Sequence, residues 1–444
     1  HVDIAINQTG TSFKNDIDAV SASGDLQVTV SGGPGDDTIT GQASNGAGAF
    51  ATAFSGSFTA YGAAGNDTIS PGASTSSLWG GIGNDTFVVP TSTANTATVA
   101  YFGEAGTDTI DFSHRTTHGV TIHMDGLASS APGFAATGTG ATAVNTAGGD
   151  TTAGTENMVI GDDIEVFNGS AGGDKVFGSV NGVTFNGGAG NDWFVAPAAS
   201  TSTDVYKGGA GIDTVDFSLR SGALTITMDG LTPSGAAGEK DLIGSDVENF
   251  IGGQGDDTII GNALDNVIDG QGGNDVIYGG DGDDTVIGGA GNNVLYGGNG
   301  DDTFMFAYDA TSSTPSLPGN DTGTTYVNCG AGNNNTLDFS HETSAITIDI
   351  AYASTSTSFN GSGTIIMGGA GGKPVPKGAA VDTADSCNNV FGGSGANTIY
   401  GNSLDNILDG NSGAGSATST IDGRGGVDTC INFGTGGSAT HCEL

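Results

Sequence analysis

Residues 252–305 read GGQGDDTII, GNALDNVID, GQGGNDVIY, GGDGDDTVI, GGAGNNVLY, GGNGDDTFM: one nine-residue unit, repeated without loss of register. Ile259, Ile268, Ile277, Val286, Leu295 and Phe304 fall nine apart, and Asp257, Asn266, Asp275, Asp284, Asn293 and Asp302 close the turns before them. Glycine fills the turn positions, where the backbone needs φ > 0 or must let another segment approach closely. The β-branched residues between the turns read as short strands. A turn and a strand at fixed period cannot bury an apolar face alone, but stacked copies can. The expected fold is therefore all-β, a right-handed parallel β-roll or β-helix solenoid.

Working outward, the same turn recurs from Gly32, Gly62, Gly80, Gly103, Gly169, Gly187, Gly208, Gly392, Gly401 and Gly423. These copies close on Asp37, Asp67, Asp85, Asp108, Asp174, Asp192, Asp213, Asn397, Asn406 and Asp428. A longer period overlies this one. GGIGNDTFV from Gly80, GGAGNDWFV from Gly187 and GGNGDDTFM from Gly297 each lead through a Ser/Thr-rich stretch to a DFS strand, at 111–113, 216–218 and 338–340. One solenoid in three long modules is expected. Its divisions are an N-terminal strand or cap over 1–31, roll modules over 32–160 and 161–251, the regular block plus a third module with a loop insertion over 252–391, and a C-terminal roll and cap over 392–444. Segments 129–153, 232–241 and 353–385 read as surface loops.

Composition narrows the function classes. Gly supplies 82 of 444 residues, with no G-X-Y period to suggest collagen. The formal charge is −40 with only nine Lys plus Arg, and Asp far outnumbers Glu. Short Asp can fold back onto its own loop and reach a bound cation. No basic stripe exists to meet phosphates, so nucleic acid is not an expected partner. No apolar run approaches the ~20 residues that cross a bilayer as a helix, so no membrane insertion is expected. The start at His1 reads as a processed N-terminus. Cys329, Cys387, Cys430 and Cys442 make an even count that favours two disulfides. Cys430 with Cys442 would close a small terminal loop and Cys329 with Cys387 would tie an insertion, but the sequence leaves all three pairings open.

The in-phase copies of G-G-x-G-x-D-x-U-x resemble the RTX repeat family, secreted calcium-binding β-roll proteins, over roughly residues 32–431. The resemblance implies Ca²⁺ held by turn carbonyls and the Asp carboxylate, each ion shared by turns one coil apart. It offers the pairs Asp257/Asp275, Asp284/Asp302, Asp67/Asp85 and Asp174/Asp192, with Asp37, Asp108, Asp213 and Asp428 as further ligands. Ca²⁺ suits adaptable oxygen sites, whereas Mg²⁺ demands a strict octahedron. Asn266, Asn293, Asn397 and Asn406 put a neutral amide at the same place, so those turns are expected to bind weakly or serve only as structure. The interval Asp192–Asp213 breaks the 18-residue register, so some turns are expected to lack metal. The estimate is on the order of six to ten ions. Many family members carry such repeats as an appendage to a toxin, protease, lipase or epimerase; here they fill the chain. Its cysteines and its start favour export through a cleaved leader to an oxidising exterior.

Enzyme signatures are sparse. His341-Glu342 does not continue to H-E-x-x-H, and no G-x-S-x-G is present. His114, His118 and His123 read as scattered strand or surface residues, and His1 has no clearly placed second copper ligand. Carboxylate pairs such as Asp36-Asp37 and Asp162-Asp163 are explained by their turns. Ice binding would need outward Thr and Asn ladders at fixed turn positions, and the variable turn positions do not supply them. The sequons at Asn7, Asn168 and Asn360 are weak hints of glycosylation. The expected protein is extracellular, non-enzymatic and structural, self-associating into a filament, surface layer or matrix. A calcium-dependent adhesin or glycan-binding surface protein is the alternative, and a polysaccharide lyase or epimerase comes behind it.

Overall fold

The computed structural model describes residues 2–5, 14–16, 27–41, 57–71, 75–89, 98–116, 119–123, 141–144, 157–161, 163–178, 181–306, 324–340, 347–350, 356–358, 364–367, 387–410, 418–434 and 436–443. Among them every regular element is a β-strand, most only three residues long. The chain divides into two compact units, residues 1–215 and 216–444.

In the second unit the period of nine becomes a coil of eighteen. Strands Thr258–Ile260, Val276–Asp281 and Val294–Asn299 stack in parallel, with Ile259 opposite Ile277 and Ile277 opposite Leu295. The alternate nonapeptides build a second parallel sheet, in which Ile268, Val286 and Phe304 align. Side chains alternate across a strand, so in a three-residue strand only the central one points inward. Those central residues are fully buried: Ile259, Ile268, Ile277, Val286, Leu295 and Phe304 are each 0% exposed. The core is thus two facing ladders of one apolar residue per strand, and its thinness explains why stacking must supply the stability.

The first unit repeats this plan with less regular spacing. Ile39, Ile69, Phe87, Ile110 and Phe167 align along one parallel sheet. Strands Ser57–Ala64, Thr75–Ile82 and Thr98–Ala105 form the other. Extra residues enter between strands and leave the register intact: Ile110 still pairs with Phe167 across a long excursion. Within the expected N-terminal segment, Val2–Ala5 pairs in parallel with Gln27–Ser31, and Lys14–Asp16 pairs with Thr38–Thr40.

One expected surface loop is something else. In 232–241, Gly235–Ala236 pairs antiparallel with Leu224–Thr227, and Ser234 and Asp241 exchange main-chain hydrogen bonds of 2.7 and 3.0 Å. Ser234 and Asp241 are buried, and Glu239 forms a buried ion pair with Arg220. A stretch of Gly, Ala and Ser looks like a solvated loop, but here a charge pair 19 residues apart folds it against the roll. Of 129–153 only Ala141–Val144 is described, antiparallel to its neighbours. Of 353–385 only Ser356–Ser358 and Thr364–Met367 are described, as an antiparallel pair. His1, His118, Asp162, His341 and the sequons at Asn7 and Asn360 lie outside the described residues.

The cysteines pair as Cys329–Cys387 and Cys430–Cys442. The first closes a 58-residue span across the insertion and the second a 12-residue terminal loop.

Candidate metal sites

Each turn aspartate is planted immediately before its strand, and its carboxylate reaches back one coil. Asp275 Oδ1 accepts the Asp257 N–H at 2.8 Å, and Asp302 Oδ1 accepts the Asp284 N–H at 3.0 Å. The same bond joins Asp67 to Asp85 and Asp174 to Asp192, each at 2.7 Å. These rungs run up the edge of the roll, satisfying main-chain donors that no strand partner could reach.

The rungs tolerate broken spacing. Asp192 donates to Asp213 Oδ1 at 2.8 Å across 21 residues, Asp85 to Asp108 across 23, and Asp37 to Asp67 across 30. The extra residue count is absorbed elsewhere in the coil.

The second carboxylate oxygen divides the turns into two classes. In Asp37, Asp174 and Asp257, Oδ2 accepts an N–H from the second residue of its own turn: Gly33 at 2.7 Å, Ser170 at 2.7 Å and Gly253 at 2.8 Å. These turns are closed. In Asp67, Asp85, Asp108, Asp192, Asp275, Asp284, Asp302 and Asp428, Oδ2 is buried and accepts no hydrogen bond. These turns are open, and their second residue has positive φ: Ala63 (89°), Gly81 (115°), Glu104 (72°), Gly188 (102°), Gln271 (68°), Gly280 (132°), Gly298 (122°) and Arg424 (68°). The left-handed twist turns that N–H away from the carboxylate. For Ala63, Glu104, Gln271 and Arg424 it costs on the order of 1–2 kcal/mol, so something must hold it.

Each orphaned oxygen faces a carbonyl of the next coil across a glycine Cα. A Cβ added to Gly62 would stand 2.2 Å from Asp67 Oδ2 and 2.4 Å from Gly80 O. On Gly187 it would meet Asp192 Oδ2 at 2.1 Å and Gly208 O at 2.4 Å; on Gly279, Asp284 Oδ2 at 2.3 Å and Gly297 O at 2.6 Å. Only glycine leaves this cradle open. A buried, unpaired carboxylate is costly unless it takes up a proton or a cation. Burial, aggravated by neighbouring carboxylates, pushes Asp275 and Asp284 up to about 8, Asp192 and Asp302 up to about 7, and Asp67 and Asp108 up to about 6. Among the described residues no three His, Cys, Asp or Glu side chains are grouped to hold a metal. The donor set on offer is instead a carboxylate oxygen with main-chain carbonyls, all hard oxygens, which fits Ca²⁺.

The asparagine turns answer the same need differently. Asn293 Oδ1 accepts the Asp275 N–H at 2.9 Å, so its Nδ2 occupies the Oδ2 place and donates to Gly289 O at 3.0 Å. Asn397 Nδ2 donates to Gly393 O and Gly410 O. In Asn266 and Asn406, Oδ1 takes the N–H of Asn262 or Asn402, as in a closed turn. In Asn293 and Asn397 the donor aimed into the cradle cannot ligate a cation; in Asn266 and Asn406 the oxygen at that place is neutral and already hydrogen-bonded.

Some rung residues escaped the motif. Glu165 Oε2 accepts the Asp108 N–H at 2.8 Å, Asp204 Oδ1 accepts the Val183 N–H at 2.8 Å, and Asn335 and Ser419 close rungs from Asp302 and Asn397. Glu165 and Asp204 carry a signal that could have found them: an acid directly before a Val-aromatic pair, E-V-F and D-V-Y. His114 is exposed, 3.9 Å from Asp111, and joins no metal cradle.

A family model for the RTX calcium-binding nonapeptide repeat (4 copies) matches residues 29–45, 61–88, 251–286, 278–306 and 388–417. No curated protein matches the chain.

Proposed function

We propose that this chain, which carries the RTX calcium-binding repeats, is a secreted structural protein that calcium stiffens, acting as a subunit of an extracellular filament, surface layer or matrix. The observation that carries this reading is the set of orphaned oxygens at Asp67, Asp85, Asp108, Asp192, Asp275, Asp284, Asp302 and Asp428, spread over both units. Metal sites at one edge of a protein suggest a local role. Open turns at eight of the sixteen repeat turns, in both units, suggest that the ions are part of the scaffold. Two disulfides suit an oxidising exterior. Folding then waits for an environment rich in calcium, and the rungs along the edge let each coil template the next.

The test is electron microscopy of the purified full chain with millimolar Ca²⁺ and with chelator. Regular polymers that dissolve on chelation are expected. Monomers in both conditions would reject the assembly role while leaving calcium binding intact.

A second reading, a calcium-dependent glycan-binding surface protein, has one observation behind it. Tyr61, Trp79 and Phe102 form an outward row on adjacent strands of the first unit, with Trp79 and Phe102 stacked at 4.2 Å and Tyr61 42% exposed. Aromatic rings of this kind can pack against the apolar face of a sugar. The rings face one another, which leaves only edges and outer faces free. Glycan-array binding abolished by Trp79→Ala would favour this reading over the first.

A further inference from the structure

We propose that the turn Gly103–Asp108 and the atypical turn 161–165 together build a calcium site of higher charge than the repeating ones, in which Asp163 adds a second carboxylate to that of Asp108. The inference rests on the reading that open turns take Ca²⁺. Neither turn falls within the residues that the repeat family matches.

Residues 161–165 read GDDIE and do not fit the nonapeptide. Their turn nevertheless sits one coil beyond Asp108, because Glu165 Oε2 accepts the Asp108 N–H at 2.8 Å. The longer side chain of Glu165 makes up for a turn one residue short. Glu165 is thus a positioning residue. A Cβ added to Gly103 would lie 2.3 Å from Asp108 Oδ2 and 2.3 Å from Asp163 O. Asp163 O therefore holds the place that Gly80 O, Gly208 O and Gly297 O hold on other rungs. At those places the residue is glycine and brings no side chain; here a carboxylate comes with the carbonyl.

That carboxylate is fixed and half used. Asp163 Oδ2 accepts the Glu104 N–H at 2.8 Å, while Oδ1 is buried and accepts no hydrogen bond. Asp108 is 0% exposed and its Oδ2 is equally orphaned. Asp108 Oδ2 and Asp163 O thus meet across the Gly103 Cα, and the unpaired Asp163 Oδ1, carried by the same residue as that carbonyl, lies against Gly161, 2.0 Å from where a Cβ would stand. Burial, with the charges of Asp85, Glu165 and Asp163 added to it, holds Asp108 up at about 6. A hard dication relieves this, and affinity at oxygen sites rises with the number of charged ligands. Position adds a consequence. Asp108 and Glu165 are 57 residues apart, so an ion here pins the two ends of the longest excursion in the first unit, where loop-closure entropy works against the fold.

The experiment counts Ca²⁺ retained by the full chain, by elemental analysis after dialysis against calcium buffers of decreasing free concentration. Wild type is expected to keep a tightest ion after the others have left. Asp163→Asn, which retains an acceptor for Glu104 but points a donor at the site, should weaken that ion on the order of tenfold or more. Glu165→Ala, which removes the acceptor that positions Asp108, should weaken it too, and decides the question if Asp163→Asn does not regain its β-signal at saturating calcium. Asp428→Asn should remove a weaker ion and leave the tightest one. Ions lost together in wild type, or a tightest ion indifferent to both variants, would overturn the proposal. A chain that binds no calcium at all would overturn the reading that open turns take Ca²⁺ as well.

Discussion

Asp275 and Asn293 occupy the same place in consecutive coils of one file and differ in a single side-chain atom. Both accept the N–H of the rung before, Asp257 for the first and Asp275 for the second. Both follow a residue of positive φ at the second turn position, Gln271 at 68° and Gly289 at 76°. What remains differs in sign. Asp275 aims a bare oxygen into the cradle, and Asn293 aims an N–H₂ that finds Gly289 O. The rung is therefore a structural device that either residue can supply, whereas the cradle is a charge problem that only the aspartate poses. Conformation and metal demand are separable, and the closed turns make the same point from the other side. Asp257 carries the charge, but Gly253 N–H and Leu224 N–H already satisfy both of its oxygens.

The largest test of this comparison is removal of the metal. At pH 8 chelation should abolish most of the β-signal in circular dichroism, because many open-turn carboxylates then lie ionised, buried and unpaired along the edge of the roll. A spectrum unchanged by chelator would break the comparison at its root.

Acid should restore part of what chelation removes. Burial holds Asp67, Asp108, Asp192, Asp275, Asp284 and Asp302 up at about 6 to 8 in the fold, above the ordinary 3.8. A folded-state value above the unfolded one means that the fold holds more protons. Stability of the metal-free chain is then fully present below about 4 and is lost as pH rises through 6 to 8. The calcium-free chain should be more ordered at pH 5 than at pH 8. Calcium must displace those protons, so its apparent affinity should rise over the same range. The opposite slope in a chelator-treated pH series would show that unpaired carboxylates do not govern folding.

Substitutions at Asp275 separate rung from cradle. Asp275→Ala strands the Asp257 N–H and should cost about 1–3 kcal/mol in calcium, read from denaturant midpoints. Asp275→Asn keeps that acceptor. It should lose one ion and some stability in calcium, yet fold better than wild type in chelator at pH 8, because a buried charge has gone. Equal effects in both media would mean that the two roles are not separable.

Smallest is the gain expected from Asn293→Asp: one further ion at saturating calcium, and a metal-free form slightly less stable than wild type. An unchanged ion count would show that the cradle needs more than an orphaned oxygen.

Much of this was legible without coordinates. The period of nine dictated one inward residue per strand and an Asp or Asn at each turn's end, and the family resemblance implied two turns per coil, an arrangement that buries Ile259, Ile268, Ile277, Val286, Leu295 and Phe304 together. The irregular rungs were not legible. Asp192 and Asp213 looked out of phase because counting residues assumes that every coil is equally long, whereas a coil only has to return to the same edge. The hairpin at 232–241 depends on Arg220 and Glu239 meeting inside the unit, a contact that local composition does not announce.

The sequence by itself determined the repeat, the parallel stacking that follows from it and the candidate oxygens. Only the tertiary structure decided which turns are open and which closed. An open turn such as 62–67 or 279–284 stacks on an earlier repeat turn, 32–37 or 261–266, while the closed turns at Asp174 and Asp257 stack on Val120 and Leu224, which bring a main-chain N–H and no repeat turn behind them. The nine letters of a turn are read locally, but its charge is balanced by whatever lies one coil away, and that neighbour is set by how the whole chain winds.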